Sequence, residues 1–238
     1  MADREPLIAL RGVEKDYHSL RPLRVRHLEL REGESLALLG FDQASAEALV
    51  NLIAGATIPD TGEVIVRGRP TTAIGDAEAW MRALDDFGIL SERAPLLEQM
   101  TAEQNLAVPL SLELHDLPLP VRSQVSTLAE EVGLEADRLP QFTSVLSRLD
   151  RMRVRLARAL AVKPRILLAE HPHASLEPAE RPVFAELLSR VATRRRPAMI
   201  VLTADRTFAA AVADDVRTLN PATGELTRQA AGWRRWFR

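Results

Sequence analysis

Residues 36–55, LALLGFDQASAEALVNLIAG, restrict what this chain can fold into more than any other stretch. They open as a short apolar run, Leu36-Ala37-Leu38-Leu39, between Gly33 and Gly40, which is the pattern of a strand buried on both faces. From Ala46 the period changes. Ala48, Leu49, Leu52 and Ile53 recur at helical spacing, and Gly55 stands where a helix stops. A buried strand, a glycine turn and a helix in succession place backbone N–H groups and a helix N-terminus where phosphate can be held.

A phosphate loop of that kind has the form G-x-x-x-x-G-K-[ST]. Gly40 supplies the first glycine, but Ser45 stands at the second, Ala46 at the lysine and Glu47 at the Ser/Thr, while Gln43 occupies the middle position that often carries another glycine. No Lys or Arg lies between Gly40 and Gly55, and Asp42 and Glu47 put carboxylates there instead. The scaffold of a nucleotide site is legible without its cationic chemistry. A carboxylate at a helix N-terminus is stabilised by about 0.3–1 kcal/mol and repels phosphate arriving at the same place. Glu47 is therefore expected to accept the free backbone N–H groups of the helix start.

Composition sets few limits. With 238 residues, 46% hydrophobic and 27% charged, the chain can bury a real core, and a net charge of −2 gives no pull toward nucleic acid. The absence of cysteine excludes disulfides and thiolate metal sites. The first residues, MADREPLIAL, hold no long apolar segment of the secretory kind, and no apolar run approaches the ~18 residues that span a bilayer.

Along the chain, strands are expected at residues 7–10, 22–30, 36–39, 63–67, 87–90, 166–169 and 199–202, and helices at 46–54, 76–84, 118–133, 147–162 and 178–192. Thr101-Ala102-Glu103-Gln104 reads as a capping box that opens a helix ending near Pro109. Strands stop between residues 92 and 161. The expectation is an α/β sheet domain interrupted by an all-helical insertion.

The order of strand, phosphate loop, NLIAG helix, PDTGEVIVRG turn, helical insert, LARAL helix and PRILLAEHP resembles the ATP-binding subunit of an ABC transporter, over about residues 7–227. The stretch LLEQMTAEQNLAVPL looks most like the subset that serves lipoprotein release and macrolide export. The resemblance implies an ABC-type, P-loop NTPase-like parallel core with an antiparallel β edge. It implies a division into a RecA-like core with its β subdomain (1–91 and 162–229), a helical signature subdomain (92–161) and a Trp/Arg tail (230–238).

The resemblance also implies roles, residue by residue. Tyr17 falls where the family stacks an aromatic ring on adenine. Gly40, Gln43, Ser45, Ala46 and Glu47 fall on the phosphate loop, with Ala46 at the lysine and Glu47 at the magnesium-ligating Ser/Thr. Glu92 takes the place of the glutamine that senses magnesium and the membrane partner. Leu146-Ser147-Arg148-Leu149-Asp150 stands for the LSGGQ signature. Glu170 replaces the aspartate that holds magnesium, His171 the catalytic glutamate, Glu177 the D-loop aspartate and Ala204 the switch histidine. Losing one charge-assisted contact to phosphate costs about 1.5–3 kcal/mol, so the joint losses point to a pseudo-ATPase with no functional catalytic residue and no cofactor. The alternative is a divergent ATPase that uses ATP and Mg²⁺, with Glu170 as metal ligand. Glu170-His171-Pro172-His173 lacks a third confident ligand, so a metal site of its own is not expected. The partners implied are a membrane permease and a second ABC ATPase or a second copy of the chain, on the cytoplasmic face of the plasma membrane. The tail, with Trp233, Trp236 and Phe237 among arginines, suits a membrane interface or a partner groove.

Overall fold

The computed structural model describes residues 5–228. Two sheets organise them. The first is antiparallel: β1 (Ile8–Lys15) lies between β2 (Leu23–Leu30) and β4 (Thr61–Val66), and the two-residue β5 (Arg69–Pro70) extends it beyond β4. The second has six strands in the order β10-β9-β3-β8-β7-β6. These are β3 (Ser35–Leu39), β6 (Phe87–Leu90), β7 (Ile166–Glu170), β8 (Ala198–Leu202), β9 (Asp215–Asn220) and β10 (Glu225–Arg228). All its neighbours run parallel except β10, which pairs antiparallel with β9.

Alternation along these strands builds the core. Leu36 and Leu38, with Ile166, Leu168, Ile200 and Leu202, face α1 (Gln43–Ile53) and the antiparallel sheet, whose Ile8, Leu10, Val25 and Val64 close the same cluster. Ala37, Leu39, Leu167, Ala169, Met199 and Val201 face the other way. There they meet α5 (Arg148–Leu160), α6 (Glu180–Arg195) and α7 (Arg206–Val212) through Leu156, Leu160, Phe184, Leu188 and Phe208. The parallel sheet is thus covered on both faces, which is why its strands read as continuous apolar runs. Each fully buried Leu or Ile contributes about 1.5–3 kcal/mol.

Between β6 and β7 lie α3 (Ala102–Ala107), α4 (Leu119–Glu131) and α5, along with short 3₁₀ turns. The strandless expectation meets one exception, an isolated antiparallel bridge between Thr101 and Phe142. Thr101 and Gln104 form the capping box expected of them: the Gln104 N–H donates to Thr101 Oγ1, and the Thr101 N–H donates to Gln104 Oε1. α2 (Ala77–Leu84) is capped by Asp76. The helix expected from Ala46 begins three residues earlier, at Gln43. Where a phosphate loop has glycines, this chain has Gln43 and Ser45, and residues with side chains favour continuing the helix. Strands β9 and β10 and helix α7 are not among the elements that the sequence pattern predicts. The tail at 230–238 lies outside the described residues.

Candidate functional site

Four loops converge at the carboxyl ends of the parallel strands, the position where open α/β sheets bind ligands. Gly40 follows β3, Ser91-Glu92-Arg93 follow β6, His171 follows β7 and Thr203-Ala204 follow β8. Gly40 holds φ +87°, and a Cβ there would meet the Leu219 carbonyl oxygen at 2.9 Å, so this turn needs glycine.

The start of α1 is closed by the chain itself. Asp42 is the N-cap: its carboxylate accepts from the Ser45 N–H at 2.8 Å and from the Ser45 hydroxyl at 2.6 Å. These bonds hold the Asp42 carboxyl below its ordinary value of 3.8, the side-chain bond most, the backbone bond next, with the nearby His171 adding to them. The anion at the helix start is therefore Asp42, and not Glu47 as the phosphate-loop pattern predicts. Glu47 lies in the first turns of the helix, and its Oε1 sits 3.0 Å from Nη1 of Arg93. The reason is geometric. An N-cap residue precedes the helix and can fold its side chain back onto the N–H two or three residues on, while a residue inside the helix points outward. Ala46, at the lysine position, is fully buried among the apolar residues around Leu49.

Arg93 is the residue that sequence reasoning missed. Its Nε lies 3.1 Å from both oxygens of Glu170, its Nη2 lies 2.7 Å from Glu170 Oε2, and its Nη1 reaches Glu47. The Glu170 side chain is 0% exposed and Arg93 is 34% exposed. Gln43 Nε2 also donates to Glu170. The Glu170 bonds raise the Arg93 pKa further above its usual value, so the guanidinium stays charged. No local pattern marks Arg93, since it follows Glu92 in an exposed connection. Only the pairing of β6 beside β7, which brings Leu90 level with Ala169, sets it against Glu170.

The other candidate residues are dispersed. Tyr17 is half buried against the core under the antiparallel sheet and lines a cavity of about 380 Å³ with Gly40, Asp42 and Ser45. Glu92 is exposed, and its charge acts on the half-buried Arg155, whose pKa burial lowers. It shares a cavity of about 670 Å³ with Arg148, Arg151, Arg155 and Glu177. In the signature-like stretch, Leu146 is buried, Ser147 caps α5 through Asp150, Leu149 packs on the core, and Arg148 is ion-paired with Glu177. His171 takes a left-handed φ of +43°, and its Nε2 is buried without a hydrogen-bond partner. His173 stacks on Phe208 at 4.8 Å, with Thr203 Oγ1 at 3.3–3.4 Å from its ring nitrogens, and its pKa is lowered by burial above all. Ala204 is exposed, and its side chain carries no polar atom. Among the described residues, no group of three or more His, Cys, Asp and Glu is gathered as metal ligands.

The family model described as "ABC transporter" matches residues 23–174. The chain belongs to the ABC transporter family. Among curated ABC relatives it is 32% identical over 216 residues to the sulfate/thiosulfate import ATP-binding protein CysA of Thermosynechococcus vestitus, covering 90% of this chain and 61% of that protein. It is 32% identical over 182 residues to the lipoprotein-releasing system ATP-binding protein LolD of Xanthomonas campestris, covering 76% of this chain and 75% of that one. Among solved structures, cbiO1 from Clostridium perfringens, part of the ABC transporter complex cbiONQ, superposes with a TM-score of 0.79 at 20% identity, over 94% of this chain and 87% of that one. A dimeric bacterial ABC transporter cassette matches with a TM-score of 0.75 at 23% identity, over 91% of this chain and 95% of that one. The α/β ABC cassette fold is thereby shown.

The relatives are named ATP-binding proteins, and an ABC cassette normally works with ATP and Mg²⁺. The residues present here do not fit that pair. The positions for a magnesium-ligating hydroxyl and carboxylate hold Glu47 and Glu170, both engaged by Arg93, and the position for a phosphate-binding lysine holds buried Ala46. A phosphate entering at α1 would also meet the Asp42 carboxylate.

Proposed function

We propose that this chain is an ABC cassette that does not turn over ATP and serves as a structural or regulatory partner of a membrane permease. The observation that carries the reading is the Asp42-capped start of α1 above a buried Ala46: the Ser45 N–H at the helix start already has an anion, and the lysine that would meet phosphate there is replaced by a buried methyl group. In this reading Tyr17, Gly40, Gln43, Ser45, Ala46 and Glu47 form a vestigial nucleotide surface. Residues 1–91 with 162–229 act as the core and 92–161 as the helical unit that meets the permease. The chain sits on the cytoplasmic face of the membrane and pairs with a second cassette, either an intact ABC ATPase or another copy of itself. None of the helices among the described residues is long and apolar enough to cross a membrane, which accords with a peripheral position. The names of the relatives, sulfate import and lipoprotein release among them, place the role in transport without choosing a cargo.

One observation favours a second reading, in which the chain is a divergent ATPase: the cavity bounded by Tyr17, Gly40 and Ser45 would admit a base beside the phosphate turn. Steady-state phosphate release from purified protein with ATP and Mg²⁺ separates the two. The proposal expects no release above the enzyme-free rate. Release that is abolished by Glu170→Gln or His171→Ala overturns it.

A further inference from the structure

We infer that the guanidinium of Arg93 takes the place the family gives to a divalent metal ion, so that Glu47 and Glu170 form a latent Mg²⁺/Mn²⁺ site whose resident cation is supplied by the polypeptide. The two carboxylates come from separate elements, α1 and the end of β7, and converge on one group. Glu170 has no solvent access, and a carboxylate without water must be met by a countercharge or by donors. Arg93 meets it with Nε and Nη2 together, at 3.1 and 2.7 Å, and turns its third nitrogen to Glu47 at 3.0 Å. A planar fork with three nitrogens grips one carboxylate with two of them and reaches a second with the third, a geometry that the single nitrogen of a lysine does not reproduce. The two carboxylates are hard oxygen ligands of the kind Mg²⁺ and Mn²⁺ take together with water.

The cation is also fixed in place. Arg93 lies in the connection that leaves β6, and Arg158 of α5 holds that connection by donating to the Ala94 carbonyl at 2.7 Å and the Pro95 carbonyl at 3.0 Å. A soluble ion comes and goes with its ligands, whereas this one is tethered on both sides. It joins α1, β7 and the entry to the helical stretch in one arrangement that needs no nucleotide. The proposal concerns the empty protein and does not depend on whether ATP is turned over, because cation binding is measured without nucleotide.

The test uses Mn²⁺ as probe, followed by the electron paramagnetic resonance signal of the free ion and by melting temperature. The parent protein is expected to leave the Mn²⁺ signal and its own melting temperature unchanged, and to be indifferent to EDTA. Arg93→Ala and Arg93→Gln should melt lower, bind Mn²⁺ about tenfold or more tightly than the parent, and regain melting temperature as Mn²⁺ is added. Adding Glu47→Gln to either should abolish the gain. Arg93→Lys, which keeps a cation at the site, should stay blind to Mn²⁺. If neither opened variant folds, refolding yield decides: rescue by Mn²⁺ supports the proposal and its absence overturns it. Parent protein that binds Mn²⁺ through Glu47, or opened variants that bind no better than the parent, also overturn it.

Discussion

Removing Arg93 and removing the Glu170 charge should have unequal costs, and the inequality follows from burial. Arg93→Ala leaves a carboxylate that is 0% exposed in the parent and whose remaining partner is the Gln43 amide. Stranding one member of a buried ion pair costs about 3–5 kcal/mol. Glu170→Gln leaves a guanidinium whose side chain is 34% exposed and which still has Glu47 at 3.0 Å. The lost charge-assisted bonds are then partly replaced by water, and the cost should be about 1–2 kcal/mol. The double variant removes both charges, so it should be more stable than the sum of the singles implies, with a coupling of about 0.5–3 kcal/mol. Urea denaturation of the four proteins at one pH measures the cycle. In thermal terms Arg93→Ala should melt about 6–20 °C lower, at roughly 2–4 °C per kcal/mol for a chain of this size. The reasoning fails if Arg93→Ala lies within about 0.5 kcal/mol of the parent, or if the two substitutions simply add.

Three other outcomes follow from particular contacts. Asp42→Ala should lose about 0.5–2 kcal/mol of cap energy at neutral pH. Because the folded Asp42 pKa is lowered, that contribution is present above the ordinary carboxylate value of 3.8 and is lost as pH falls through the folded value, so parent and variant should converge in acid denaturation curves. Gly88→Ala should cost about 1–3 kcal/mol in urea denaturation, since a Cβ on β6 would lie 2.5 Å from the Ala159 carbonyl oxygen and 2.9 Å from Pro164 Cγ. His173→Phe should flatten one part of the pH–stability curve: burial lowers the folded His173 pKa, so the parent gains stability as pH rises from that folded value toward the ordinary ~6.5 and is level above it, while the variant lacks the rise.

Local chemistry explains what could be read from the sequence. Phe87–Leu90 and Ile166–Glu170 are short apolar runs bounded by turns, and Thr101 and Asp76 are caps whose partners lie three residues away, so each signal sits inside its own segment. β9 escaped because it shows only Val216 and Leu219 as buried residues and becomes a strand by pairing with β3, 179 residues earlier in the chain. β10 buries little and rests on β9. At the site, the sequence marks where family positions have changed, but it does not say which new group answers which. The phosphate-loop pattern points to Glu47 as the anion of the helix start, yet cap geometry gives that task to Asp42. Arg93 acts on a residue 77 positions away, and no spacing rule links the two.

The central claim is that the cassette carries its own ions where relatives place ATP and metal. Isothermal titration of the parent protein with ATP, with and without Mg²⁺, tests it most directly. The account predicts no saturable heat in either titration and no difference when Mg²⁺ is present. Saturable binding that Mg²⁺ strengthens and that Glu170→Gln abolishes would contradict it.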